Sequence, residues 1–198
     1  NGDGVADLVV VDEQHDDILP GIIGTQSDLG RAAIFLSPLT GELTMDDADQ
    51  IIIGRAEDDE LGQDVESGDF NGDGVEDLLL SSHSGNNSNF KGSLHIFHDF
   101  MGEEASEASS VVVSNSYFMG IGENLGRPTD FNGDGHLDQV FTTNRSDGDY
   151  VGANTMIAYG PFADGIHDIA DFPLTVFYDS FTDEEPLPIH CISVVGDV

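Results

Sequence analysis

A nine-residue string, Asp69-Phe70-Asn71-Gly72-Asp73-Gly74-Val75-Glu76-Asp77, returns as Asp130-Phe131-Asn132-Gly133-Asp134-Gly135-His136-Leu137-Asp138. Most of it also opens the chain, as Asn1-Gly2-Asp3-Gly4-Val5-Ala6-Asp7. A string that recurs at near-regular spacing marks a chain assembled from copies of one structural unit. Its asparagine falls at 1, 71 and 132. Between copies, short apolar runs recur in the same order. The first follows the string directly, at 8–11, 78–80 and 139–141. The second lies at 33–36, 94–97 and 156–159, and the third at 51–53, 111–113 and 174–177. A fourth precedes the next copy, at 65–67, weakly around Leu125, and at 192–195. The runs are rich in β-branched and aromatic residues and are separated by Gly, Pro, Asn and Asp, which reads as strands and turns. No segment sustains a 3.6-residue period, so no long helix is expected. The expected fold is all-β, with four short antiparallel strands per unit. That is the organisation of a β-propeller blade. The units cover about 1–60, 61–120 and 121–188, and 189–198 either starts another blade or completes the first.

The recurring string has its own chemistry. Oxygen-bearing side chains stand at every second position, the arrangement by which a tight loop surrounds a hard cation such as Ca²⁺. In the middle copy these are Asp69, Asn71, Asp73 and Asp77, and Val75 can offer only its backbone carbonyl. The third copy supplies Asp130, Asn132, Asp134 and Asp138, with the carbonyl of His136. The first supplies Asn1, Asp3 and Asp7, with the carbonyl of Val5, and Asp197 begins a further loop. An EF-hand starts alike but needs a carboxylate at position twelve and flanking helices. Here position twelve is Leu80 or Phe141, inside a β run. The metal-free alternative is an Asx-rich hairpin turn, and the repetition of the ligand positions argues against it.

Composition narrows the partners. The chain of 198 residues carries 39 acidic and 5 basic side chains, a formal net charge of −34. Phosphate backbones and anionic membranes are held by Lys and Arg, so neither nucleic acid nor a membrane surface is an expected partner. No apolar run approaches the length of a membrane-spanning helix. Runs such as 12–17, 46–49 and 57–60 read as solvated loops, and such an acid excess suits a salty medium that screens self-repulsion. The lone cysteine, Cys191, cannot form an intramolecular disulfide and reads as a buried thiol. Cross-linking would fall to the calcium ions.

These residues resemble FG-GAP repeats, the blades of the integrin α-subunit propeller, and the related bacterial VCBS-type repeats. Leu61-Gly62 and Ile121-Gly122 match the aromatic-or-aliphatic–Gly position, while Ile189-His190 departs from it. The Gly-Ala-Pro position is degenerate, at 11–13, 81–83 and 142–144. The resemblance implies an extracellular or cell-surface calcium-binding propeller module for adhesion, ligand binding or assembly. Its partners would be other blades, of the same parent chain or another copy, and a protein or glycan ligand. The alternative it implies is the partial propeller of a secreted polysaccharide-acting lyase or hydrolase. The residues show no catalytic constellation: no H-E-x-x-H, no Gly-x-Ser-x-Gly and no P-loop. His83, after the first run of the middle unit, is the histidine placed to shape a propeller face. Joining Val198 to Asn1 would complete a calcium loop. The expectation is therefore a segment of a larger propeller, or a blade completed between copies.

Overall fold

The computed structural model describes residues 3–17, 24, 26–55, 57–82, 92–98, 100–101, 108–113, 118–146, 151–178 and 194. The fold is all-β. Among the described residues twelve strands form three sheets, and the only helices are two 3-10 turns, Met45–Asp47 and Ile169–Asp171.

The first sheet has the order β1 (Leu8–Asp12), β2 (Arg31–Phe35), β3 (Gln50–Ile53), each antiparallel to the next. The second runs β4 (Leu61–Gly68), β5 (Asp77–Ser82), β6 (Ser93–Phe97), β7 (Ser110–Val113). The third runs β8 (Phe118–Met119), β9 (Gln139–Ser146), β10 (Val151–Ala158), with β12 (Leu174–Tyr178) outermost. Expected and observed strands coincide at the first three runs of every unit and at the fourth run of the first unit. Two features were not expected. One is β11 (Gly165–Asp168), which leaves its own unit and pairs in parallel with β7, Gly165 opposite Ser110. The other is the inner edge of the third sheet. In place of one strand around Leu125 there are β8 and two isolated bridges, Leu125–Phe141 and Thr129–Asp138. The strand expected at 192–195 falls outside the described residues except for Val194.

Period-2 alternation explains how the sheets stack. β5 is buried along its whole length, so both of its faces are covered. Leu78 and Leu80 face one way, into a cluster with Ala32, Ile34 and Ile52 of the first sheet. Leu79 faces the other way, into a cluster with Phe141, Met156 and Ala158 of the third. Phe70 lies in that second cluster, edge-on to Phe162 with ring centroids 5.7 Å apart. The core thus lies at two junctions between sheets.

The junctions require glycine at particular points. Gly30 and Gly92 sit just before the second strands of their units, with φ of 73° and 64°. A Cβ would lie 2.1 Å from the Leu61 carbonyl oxygen at Gly30, and 2.4 Å from that of Ile121 at Gly92. Each glycine thus lets one unit touch the backbone of the next. This gives Leu61-Gly62 and Ile121-Gly122 a structural meaning as the contact points.

Candidate metal centre

The two complete loops, 69–77 and 130–138, share their hydrogen bonds at positions one, three and five. Asp69 Oδ1 accepts from the amides of Gly72 at 2.7 Å and Asp73 at 3.0 Å, and its Oδ2 accepts from Gly74 at 2.9 Å. Asp130 accepts from Gly133 at 2.6 Å, Asp134 at 3.2 Å and Gly135 at 2.9 Å. Asn71 Oδ1 takes the Asp73 amide at 2.8 Å, as Asn132 Oδ1 takes that of Asp134 at 2.8 Å. Asp73 Oδ1 takes the Val75 amide at 2.8 Å, and Asp134 Oδ1 that of His136 at 2.9 Å. In the first loop Asp3 Oδ1 takes the Val5 amide at 2.8 Å. Asn1 and Asp197 lie outside the described residues. The glycines after position five, Gly4, Gly74 and Gly135, have φ of 81°, 88° and 91°, which turns the chain back on itself.

Positions one, three and five are therefore held by backbone N–H groups with their side chains gathered together. The side-chain amide of Asn71 donates to Asp73 Oδ2 at 3.0 Å, and that of Asn132 to Asp134 Oδ2 at 3.0 Å. Val5 and Val75, at position seven, are exposed with no apolar packing to satisfy, consistent with a place kept for its carbonyl. The His136 amide and the Asn132 side chain hold the Asp134 carboxyl below its usual range, so it is ionised near neutral pH.

Position nine does more than its spacing suggested. Asp77 and Asp138 are fully buried. Each closes its loop from below: Asp77 Oδ2 accepts from Phe70 N at 2.8 Å, and Asp138 Oδ2 from Phe131 N at 2.7 Å. The other oxygen of Asp138 reaches across to Gly160 N at 3.0 Å, in the turn between the unit's second and third strand runs. Asp7 Oδ1 does the same with Ser37 N at 2.8 Å, and this amide holds the Asp7 carboxyl below its ordinary value. In the middle unit the corresponding residue, Asp99, lies outside the described residues, and the amide of His98 before it donates to Ser109 Oγ at 3.2 Å. Asp77 Oδ1 is left buried with no hydrogen-bond partner. Burial raises the Asp77 carboxyl above the usual aspartate value against the pull of the Phe70 amide. A buried carboxylate oxygen without a donor is costly, and either a bound proton or a cation relieves it. On this donor chemistry the loop residues fit Ca²⁺, which would supply the charge that gathers them.

Among the described residues no three His, Cys, Asp or Glu side chains stand together as a metal-holding group. The three aspartates of each complete loop, Asp69, Asp73 and Asp77 or Asp130, Asp134 and Asp138, do not themselves form such a group. Spacing alone did not reveal the amides of Ser37 and Gly160. Their one signal is the Ser-Pro and Gly-Pro turns that contain them. His98 also bonds through Nδ1 to Asp164 Oδ1 at 2.9 Å, which ties the middle unit to the segment leading into β11. His83 lies outside the described residues. No described helix is long and apolar enough to cross a membrane. No protein-family model and no curated protein matches the chain.

Proposed function

We propose that this chain is a calcium-stabilised segment of a β-propeller, with FG-GAP-like units as blades, acting outside the cell in adhesion or surface assembly. The observation that carries the reading is the shared geometry of positions one, three and five in the two complete loops. Asp69, Asn71 and Asp73 accept the same backbone amides as Asp130, Asn132 and Asp134. Two loops 61 residues apart repeat this geometry, and each leads into a strand of a separate sheet, buried at 77–82 in β5 and at 139–143 in β9. Asp69, Asn71, Asp73, the Val75 carbonyl and Asp77 would hold one ion. Asp130, Asn132, Asp134, the His136 carbonyl and Asp138 would hold another. Asp3, the Val5 carbonyl and Asp7 form part of a third, with Asn1 and Asp197 as its further expected donors. The bound ion supplies positive charge to a loop that otherwise concentrates carboxylates, and so couples metal binding to folding. Millimolar external calcium suits oxygen loops of this modest charge. The net charge of −34 fits a protein that works in a screened medium and avoids polyanions.

Thermal unfolding in saturating Ca²⁺ and in EDTA tests the reading. A site held at a hundredfold over its dissociation constant contributes about 2.7 kcal/mol. In a domain of this size that corresponds to a fall in Tm of about 5–10 °C per site on chelation. An unchanged Tm would refute calcium as a structural ligand.

A further inference from the structure

We infer that the two complete loops bind their ions cooperatively, and that residues 160–168 are the strap that couples them. The inference rests on the calcium reading of those loops and adds how one site feels the other.

The strap follows β10 and ends in β11. Gly160 touches one loop and Phe162 the other. Gly160 N donates to Asp138 Oδ1 at 3.0 Å, at position nine of the loop 130–138. A Cβ at Gly160 would lie 2.4 Å from the Leu137 carbonyl oxygen, so the strap starts flat against that loop's backbone. Phe162 N donates to the Phe70 carbonyl at 3.4 Å. The fully buried Phe162 ring meets Phe70 edge-on, with centroids 5.7 Å apart. Phe70 stands between Asp69 and Asn71 in the loop 69–77, and its own N–H donates to Asp77 Oδ2 at 2.8 Å. One line of bonds therefore joins the two position-nine carboxylates: Asp77 to Phe70, Phe70 to Phe162, and Gly160 to Asp138.

The far end of the strap is anchored to the middle sheet. Asp164 Oδ1 meets His98 Nδ1 at 2.9 Å. Gly165 N donates to the Ser109 carbonyl at 2.9 Å, and β11 then pairs along β7. His167 Nε2 folds back to within 2.9 Å of the Ala163 carbonyl oxygen, and Phe172 packs on Phe162 with centroids 5.1 Å apart.

An ion on Asp138 fixes that carboxylate, and with it the Gly160 amide. The strap then holds Phe162 against Phe70, which sets the bend carrying Asp69 and Asn71. The second ion meets a loop already ordered, so it binds more tightly. By linkage the reverse holds with the same factor. Direct charge acts the other way, because an ion on one loop weakens the negative field at its neighbour. The loops are close enough for this: a Cβ at Gly68 would lie 2.6 Å from Leu137 Cδ1. That opposition fades at ~1 M salt, where the screening length is about 3 Å. The contacts of Phe162 with Phe70 do not depend on salt.

A CaCl₂ titration of the chain in ~1 M NaCl, followed by NMR at the Gly74 and Gly135 amides, reads each loop separately. Asp134→Ala disables the loop 130–138, and the Gly74 midpoint should rise about fivefold or more, as for typical couplings. Asp73→Ala should raise the Gly135 midpoint by the same factor. Phe162→Leu keeps the core apolar but loses the ring contact with Phe70, and in that background the effect of Asp134→Ala on Gly74 should largely vanish. Asp164→Ala cuts the His98 anchor at a side chain 80% exposed, and should weaken the coupling without threatening the core. Circular dichroism with an unfolding midpoint checks that the variants fold. Midpoints that stay put in both single-loop variants overturn the cooperativity and leave the calcium reading standing. A shift that survives both strap variants comes from direct contact between the loops and overturns the strap. Amides that ignore calcium altogether sink the calcium reading, and this inference with it.

Discussion

The aspartate at position nine shows how one residue type at one repeat position acquires different energetics. Asp138 spends its oxygens separately, one on Phe131 N and one on Gly160 N. An asparagine there has one oxygen for two separated donors and sets its NH₂ against an amide. Asp138→Asn should cost about 1.5–3 kcal/mol, the range for a hydrogen bond to a charged group. Asp77 takes both Phe70 N and Asn71 N on one oxygen and leaves the other bare. An asparagine fits that pattern, so Asp77→Asn should cost distinctly less in EDTA. Urea unfolding of the two variants in EDTA checks the order, and equal costs would mean that Gly160 does not matter. His95 offers a pH test. It is half-buried on β6, with Nε2 2.8 Å from Ser93 Oγ, and desolvation pushes its imidazole below the usual histidine value near 6.5. The unfolded chain therefore binds the proton more readily, and its stability contribution is present above the unfolded value and lost as pH falls through the folded one. Stability should decline as pH drops below about 6.5. His95→Gln should flatten that part of the profile, measured by urea unfolding across pH. An unchanged slope would assign the decline elsewhere.

At the scale of elements, the strands after each loop were the most legible. Leu78-Leu79-Leu80 can be read directly, because an apolar run buried on both faces needs no partner identity to be recognised. The glycines at the unit contacts were half legible. Leu61-Gly62 and Ile121-Gly122 stand out in the sequence, but Gly30 and Gly92 carry no motif. Their role follows from the close approach of the next unit's backbone. Gly92→Ala puts an L side chain at a φ of 64° and drives a Cβ to 2.4 Å from the Ile121 carbonyl. The backbone conformation alone costs about 1–3 kcal/mol. The clash with backbone adds to it, so the variant should fall several degrees in Tm, while Gly41→Ala, with open space around its Cβ, suffers only the conformational part. Calorimetry of the pair checks this, and equal losses would remove the close contact as a cause. The strand β11 was illegible for another reason. Gly165-Ile166-His167-Asp168 is weakly apolar, and a parallel pairing to another unit leaves no pattern in the local sequence.

For the whole molecule, charge is the dominant fact. A net charge of −34 on a body of 198 residues works against compaction at low ionic strength. Raising the salt from ~0.1 M to ~1 M shortens the screening length from about 10 Å to about 3 Å. With calcium saturating, Tm should rise over that range in NaCl, and a flat or falling Tm would show that self-repulsion is not what limits stability. The two apolar clusters set the other side of the balance. Each lies between sheets, so cohesion depends on the sheets staying stacked.

Local chemistry was sufficient for the strand-forming runs, the all-β class and the oxygen-bearing loops, because each depends on residues adjacent in the chain. Period-2 burial, Asx turns and glycine bends act over fewer than ten residues. What only the tertiary structure decided depends on residues brought together from distant parts of the chain. It set the reach of Asp138 to Gly160 and of Asp7 to Ser37, and the bare oxygen of Asp77. It also set the loan of β11 to the neighbouring sheet, and the exposure of Leu39, Phe131 and Phe177 at positions buried elsewhere. The same residue type in the same repeat position is buried or bare according to whether another sheet stands beside it, and no local pattern encodes that neighbour.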